Sequence, residues 1–221
     1  MSSINIRAAT VADGAAISRV HYEALKTYHD FYAAALDNPK FVFLVADEGG
    51  KVVGFVRYNV VEGKGDKKAA AIGSEAPSGP SLFAPKEHMK GLWERFNERE
   101  AEMDACYEKT TNGQRHYFVN HLMVDPSHQR KGIGGQLLRA VTNKADAGGV
   151  PSLLVASAEA HGLYLRLGFE VLGVWAIDNG YWSGEVVRHE RELGIGGNEG
   201  LDERFEGMKE EEAYMVRWPR K

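Results

Sequence analysis

At 221 residues the chain fits one domain at its upper size and could only just be divided into two small ones. Hydrophobic residues make up 43% and charged residues 26%, an ordinary globular balance, and a formal net charge of −4 argues against a nucleic-acid partner held by a general basic field. One cysteine, Cys106, forms no internal disulfide, and the eight histidines are scattered without a His-Glu-x-x-His pattern, so an intracellular, metal-free protein is expected. No run nears the roughly 20 apolar residues of a spanning helix, and Met1 to Val20 is broken by Arg7, Asp13 and Arg19, unlike a signal peptide. A cytoplasmic location with no membrane partner is the expectation.

Ile4 to Ala8 alternates like a strand, and Thr10-Val11-Ala12-Asp13 has capping-box spacing ahead of Ile17, Val20 and Leu25, a strand feeding an amphipathic helix. A short helix is expected over Tyr28 to Leu36, ended by Asn38-Pro39. Phe41 to Val45 and Val52 to Val61 read as a hairpin across the four residues Asp47-Glu48-Gly49-Gly50. Glu62 to Pro85, rich in Gly, Lys, Ser and Pro, reads as a long surface loop. Lys86 to Lys109 then spaces Met89, Leu92, Trp93, Phe96, Met103 and Tyr107 as one packed helical stripe.

Tyr117 to Val124 is apolar at nearly every position, as in a central strand covered on both faces. Gly132 to Ala147 carries Ile133, Leu137, Leu138 and Val141 on one side and stops at Gly148-Gly149. Leu153 to Val155 is the next strand and Ala158 to Leu167 the next helix, with Gly168 after it; Phe169 to Trp175 is again extended. Asp178 to Glu212 is glycine-rich and charged, with little strand pattern before Ala213 to Trp218. The whole reads as an α/β chain with a mixed, twisted sheet of about six to seven strands flanked by helices.

The chemistry concentrates in Gln129-Arg130-Lys131-Gly132-Ile133-Gly134-Gly135, between a buried strand and an amphipathic helix. Glycines let backbone N–H groups converge, and the helix start adds unpaired donors and the positive end of its dipole, which together suit a phosphate or diphosphate. From Pro126 to Ala147, Arg130, Lys131, Arg139 and Lys144 stand against Asp146, a local surplus of about three positive charges. A mononucleotide P-loop fails because Lys131 precedes Gly132, and a dinucleotide fingerprint fails because Leu137 stands where its third glycine belongs. No Gly-x-Ser-x-Gly elbow is present. Taken alone, the glycines fit a plain link between strand and helix better than a phosphate cradle.

Gln129-x-x-Gly132-x-Gly134 resembles motif A of the GCN5-related N-acetyltransferase (GNAT) superfamily. Leu122-Met123-Val124-Asp125-Pro126 resembles the family's preceding strand and proline turn, Leu163-Tyr164-Leu165-Arg166-Leu167-Gly168-Phe169 its LYxxxGF segment, and Ile6 to Thr10 its first strand and helix start. The resemblance implies one N-acetyltransferase domain over residues 1–221, with an acetyl-CoA core at about 115–175, a loop and helix insertion at about 62–110 and a variable segment at about 178–212. It implies acetyl-CoA as cosubstrate, bound through the diphosphate by Gln129, Arg130, Lys131, Gly132, Ile133, Gly134 and Gly135, and through the pantetheine arm and acetyl carbonyl by Leu122, Met123, Val124 and Ser157. Ser157 also fits a helix N-cap.

The family uses the tyrosine corresponding to Tyr164 to protonate or hydrogen-bond the departing thiolate; the other reading is a tyrosine packed in the core. A phenol near pKa 10 facing a thiol near 8.5 makes full proton transfer uphill by roughly 2 kcal/mol, which favours a hydrogen-bond donor. Many relatives carry a Glu, Asp or His at positions matching Phe118 or Asn120. Phe118 takes no proton, Asn120 can orient a water, and His116 and His121 are nearby candidates that also fit structural histidines. The expectation is a water relay or an acceptor of low basicity, the acceptor being a small-molecule or peptide amine and the protein a monomer or homodimer. A catalytically weak or inactive acyl-CoA-binding sensor or scaffold is the rival. Tyr164 favours the enzyme, and the missing carboxylate favours the rival.

Overall fold

The computed structural model describes residues 3–25, 40–64 and 85–220. The helix expected over Tyr28 to Leu36 and most of the 62–85 loop lie outside them. The strands are β1 (Ile4–Ala8), β2 (Val42–Glu48), β3 (Lys51–Val61), β4 (His116–Val124), β5 (Ser152–Ser157), β6 (Glu170–Asp178) and β7 (Lys209–Arg217). They form one seven-stranded mixed sheet in the order β1-β2-β3-β4-β5-β7-β6. Only β4 and β5 pair in parallel, the other neighbours being antiparallel. The helices are α1 (Gly14–Leu25), α2 (Lys90–Thr111), α3 (Ile133–Ala147), α4 (Ala158–Arg166), α5 (Asn179–Glu192) and the single turn α6 (Leu201–Arg204).

Two apolar clusters form against the sheet. Ile133, Leu137, Leu138 and Val141 of α3 recur on one helical face and pack with Leu44, Val53, Val56 and Leu154. Ile17 and Val20 of α1 pack with Phe43, Val45, Val52 and Phe55. β3 and β4 therefore carry helices on both sides, which is why β4 has no polar alternation.

Two expectations are corrected. The β2–β3 turn is two residues, not four: Glu48 pairs with Lys51, and Gly49 and Gly50 take φ of 61° and 90°. Positive φ at both positions matches the right-handed twist of the strands, so glycine is required there. Asp178 to Glu212 is not irregular, since it holds α5, α6 and the first four residues of β7. Asp178 starts α5 by accepting the Tyr181 N–H at 2.9 Å. The α5 signal was weak because Gly180 and Gly184 interrupt it and because Trp182 and Val186 face a cavity shared with α2. The α2 stripe is likewise split: Met103 is buried and Tyr107 meets Phe118 and Tyr214, but Met89, Leu92, Trp93 and Phe96 line a cavity shared with α5.

The entry to α1 is held by charge. Arg7 donates to both oxygens of Asp13 at 2.8 Å and to Asp47 at 2.9 and 3.2 Å, while Thr10 gives its N–H and hydroxyl to Asp13. Arg7 holds the Asp13 carboxyl well below the usual carboxylate range. The Gly50 N–H and then Arg7 lower Asp47. Groups with depressed folded-state pKa stabilise the protein above their unfolded value of about 4 and lose that contribution as pH falls. Arg7→Ala is expected to cost about 1–2 kcal/mol at neutral pH. The gap from the parent should narrow as the pH drops from about 5 toward 2. Thermal melts across that range check it; a gap independent of pH contradicts this account.

A second constraint is steric. A Cβ on Gly54 of β3 would stand 3.0 Å from the Met123 carbonyl oxygen and 3.4 Å from both Ile133 Cγ2 and Leu137 Cδ1. Backbone on one side and a buried helix on the other leave little room to yield. Gly54→Ala is expected to lose about 1–3 kcal/mol in urea unfolding; an unchanged midpoint would mean that α3 is free to back away from the sheet.

Candidate active site

A single extra residue opens the sheet. Along β4, Tyr117 and Val119 pack in the α3 cluster, then Leu122 and Val124 do, so the side-chain alternation changes parity across Asn120. The pairing says the same: Tyr58 of β3 faces Val119 and Arg57 faces His121, which leaves Asn120 without a partner. On the other edge, β4 pairs β5 through Tyr117↔Ser152, Phe118↔Leu153 and Val119↔Leu154, and no further. Beyond that point β5 continues with β7 alone, to Ser157↔Glu212.

The gap is a cleft of about 410 Å³ whose walls are Val119 to Val124 of β4, Val155 and Ser157 of β5, Ala160 and Tyr164 of α4, Gln129, and Ala24 of α1. Asp125 fixes the end of β4. It accepts Arg19 Nη1 from α1 at 2.8 Å and the Ser127 N–H at 3.0 Å, while its own N–H donates to Val53 O at 2.9 Å. Ser127 and Arg19 hold its carboxyl well below the ordinary range, so it stays charged in this role.

The glycine-rich segment follows. Gln129 Nε2 donates to Val124 O at 3.2 Å and Lys131 Nζ to Ser127 O at 3.0 Å. Arg130 and Gly132 take φ of 61° and 81°; Gly132 meets that demand without cost, whereas Arg130 holds a conformation rare for a side-chain-bearing residue. Gly132 ends the turn as the N-cap of α3, offering no side-chain cap. The first α3 amide with a helical acceptor is Gln136 N–H, to Gly132 O at 3.1 Å, which leaves the amides of Ile133, Gly134 and Gly135 outside the helical ladder. A Cβ on Gly134 would lie 3.5 Å from Leu163, 3.8 Å from Val124 and 4.0 Å from Leu122, so helix start, strand end and α4 converge there. A Cβ on Gly135 would lie 3.4 Å from the Arg139 guanidinium, which places that charge beside the same turn. Asp146, the one acid of this stretch, is taken up by Arg217 through two 2.7 Å bonds and does not offset the local positive charge at the turn.

The residues expected from the sequence divide cleanly. Asn120, Leu122, Met123, Val124, Gln129, Ser157 and Tyr164 line the cleft. Arg130 to Gly135 form the turn and helix start, with the Ile133 side chain in the core. His116 is not brought to the cleft: it is buried between the Gln114 carbonyl and the Tyr107 hydroxyl, and burial lowers its pKa. His121 lines the cleft, its ring edge-on to His21 at 6.0 Å. Burial, then Arg57 and His21, push its pKa down to about 4, so the ring is neutral at pH 7. Ser157 occupies the N-cap position of α4 but makes no cap bond to the helix backbone; its hydroxyl goes to Glu159.

Glu159 was not singled out from the sequence and lines the cleft; a Ser-x-Glu at a strand-to-helix junction was the available signal. Its own N–H and then Ser157 lower its pKa. Tyr164 is 6% exposed, with its ring edge-on to Phe169 at 5.8 Å, and burial pushes its pKa up to about 12. Its hydroxyl makes no hydrogen bond among the described residues, and the Asn120 Oδ1 is buried without one. An unsatisfied buried acceptor costs about 1–3 kcal/mol, so one at the strand break is a place where a ligand or water has something to gain.

Residues 97–171 match the family model described as the acetyltransferase (GNAT) domain. No curated protein matches the chain. Among solved structures, Arabidopsis thaliana NAA60 in complex with acetyl-CoA is 14% identical, with a TM-score of 0.55 over 98% of each chain. The ribosomal-protein-S18-alanine N-acetyltransferase of Escherichia coli is 13% identical, with a TM-score of 0.55 over 99% of this chain and 96% of that one. A Corynebacterium glutamicum structure described as histone acetyltransferase HPA2 and related acetyltransferase is 20% identical, with a TM-score of 0.52 over 100% and 98%. The fold is that of these acetyltransferases, and the stretch that matches the GNAT domain model, residues 97–171, spans the opened strand, the glycine turn and α4.

Proposed function

We propose that the chain moves an acetyl group from acetyl-CoA to a primary amine by direct attack, using all of residues 1–221 as one N-acetyltransferase domain. The observation that carries this reading is the strand break at Asn120: it opens a cleft with free α3 amides near one end and the Tyr164 phenol on its wall. The amides of Ile133 to Gly135, the helix dipole and the cations of Arg130, Lys131 and Arg139 would take the diphosphate. The unpaired edge of β4 over Leu122 to Val124 would take the pantetheine amides as a further strand would, with Ser157 opposite.

In the chemical step the amine nitrogen forms a bond to the thioester carbonyl carbon. The C–S bond breaks as the tetrahedral intermediate collapses, the ammonium proton leaves to water, and the thiolate receives a proton. With Tyr164 at about 12 and a thiol near 8.5, outright transfer from the phenol is uphill by about 5 kcal/mol. Tyr164 therefore acts as a hydrogen-bond donor to the departing sulfur, with the final proton drawn from water. Neither His121 nor Glu159 is a strong enough base at pH 7 to hold the amine's proton, since both are shifted down. Asn120 orients the water that carries it away. The acceptor is a small-molecule or peptide amine, and relatives of this fold include an enzyme named for a ribosomal-protein alanine. The competing reading, a catalytically silent acyl-CoA sensor, shares the cleft and differs only in turnover.

Free thiol release from acetyl-CoA over a panel of amines tests the reading. Tyr164→Phe is expected to lower kcat about 10- to 100-fold and leave the coenzyme A Kd within about threefold; equal kcat removes Tyr164 from the chemistry. Saturable binding without thiol release for any amine favours the sensor. With a strongly basic amine, kcat/KM should climb about tenfold per pH unit toward the amine's own pKa. A plateau near pH 6–7 that disappears in His121→Gln would establish a dedicated base and overturn the water relay.

A further inference from the structure

The glycine turn holds one residue whose conformation the fold does not explain. Arg130 has φ of 61°, in the left-handed region that a side chain makes costly, whereas Gly132 enters the same region freely. Asn112 is the other non-glycine residue with positive φ among the described residues, and as the C-cap of α2 it has the place and the residue type suited to it. Arg130 caps no helix. It is exposed, and its guanidinium makes no hydrogen bond or ion pair among the described residues. Glycine at this position would form the turn with less strain, so the use of this side chain lies outside the fold.

The neighbouring charges lead to the same place. Lys131 Nζ donates to Ser127 O, a neutral acceptor, at 3.0 Å, and the Arg139 guanidinium lies beside Gly135 with no acidic partner among the described residues. Asp146 is taken up by Arg217 through its two 2.7 Å bonds. Arg130, Lys131 and Arg139 are therefore uncompensated cations on the turn and first part of α3, in addition to the free amides of Ile133, Gly134 and Gly135 and the positive helix end. A diphosphate diester carries one negative charge on each phosphorus, and the amides and helix end already suit it. Two of the cations neutralise it, and one is in surplus. A phosphomonoester on the same ligand would bring a further charge of about −1.5 to −2 and three strong acceptor oxygens.

Resting on the coenzyme A reading of the β4–β5 cleft, we propose that Arg130 is a specificity-determining residue for the acyl donor. Its guanidinium takes the 3′-phosphate, the one phosphomonoester of coenzyme A. Arginine suits this group because its planar fork meets two phosphate oxygens at once and stays charged. The left-handed backbone sets the direction in which the side chain leaves the turn, and a residue in the ordinary regions would send it elsewhere. The strain at Arg130 is thus part of donor recognition, and the diphosphate is held without it.

Calorimetry on the whole chain, comparing coenzyme A with dephospho-coenzyme A, tests it, since the second ligand keeps the diphosphate and lacks only the 3′-phosphate. The parent is expected to bind coenzyme A at least about tenfold tighter. Arg130→Gly and Arg130→Asn should bring the two Kd values within about threefold of each other, by weakening coenzyme A alone. Both replacements accept positive φ, so their melting temperatures without ligand should equal or exceed the parent's. Lys144→Gln, which removes an exposed charge farther along α3, should leave the preference intact. Equal Kd values in the parent, or a preference that survives both Arg130 variants, overturns the proposal. A preference lost equally in Lys144→Gln would mean a diffuse field, and a fall in melting temperature in both Arg130 variants would make Arg130 a structural residue; each also overturns it. Failure of both ligands to bind the parent would sink the reading of the cleft itself, whereas tight but equal binding of the two sinks only the role of Arg130.

Discussion

A parallel pair of strands in mid-sheet is normally sealed along its length, because every unpaired N–H and C=O there would be buried without a partner. Here β4 and β5 pair for three residues and then part, since Asn120 inserts one residue more than β3 can match. The break keeps Leu122 to Val124 paired with β3 and leaves their β5-side edge unpaired, while the parity change returns Leu122 and Val124 to the α3 cluster. Strand edge and hydrophobic packing are thus satisfied by the same insertion. The exposed edge is usable because both sides of β4 remain clamped, by α3 on one and by α1 through Arg19 and Asp125 on the other.

The order of elements from Tyr117 to Trp175 was legible because each had a local reason: an unbroken apolar run, a 3.6-residue stripe on α3, glycines at its ends. The glycine turn reads as a candidate anion site for the same local reasons, and the resemblance of Gln129-x-x-Gly132-x-Gly134 implies the diphosphate of coenzyme A as that anion. The break itself was not legible, for Asn120 in an apolar run looks like a blemish until β3 is paired against it. Nor was the division between the two histidines. The inserted residue between them puts His116 and His121 on the same face of β4, and they part along the strand, His116 against the Tyr107 hydroxyl of α2 and His121 at the cleft beside His21 of α1. The region after Asp178 was misread because Trp182 and Val186 of its helix face a cavity shared with α2, a partner far away in sequence, while its glycines and charges dominate the local composition.

Burial of Tyr164 has two opposed effects. It weakens the phenol as an acid, and it removes competing water, which strengthens any hydrogen bond the phenol gives. A group asked to deliver a proton outright would be better placed near solvent; one asked to steady a developing thiolate is better placed where Tyr164 is. The same economy governs the other protic groups. His121 is kept neutral by burial and Glu159 charged by its own N–H and Ser157, so in the proposed transfer the cleft would hold its polarity fixed while the reacting groups change charge.

The segments inserted between β3 and β4 and between β6 and β7 contribute α2, α5 and α6, and the sheet uses only part of them. Met103 and Tyr107 anchor the second half of α2 over β4 and β7, and Trp175 reaches it through Glu102. The first half meets α5 through aromatic rings and the Arg95–Glu185 pair, and no strand lines the cavity between them. Glu190 of α5 accepts from Asn198 at 2.7 Å and faces His88 at 3.6 Å, so the buried carboxylate has partners within its own surroundings.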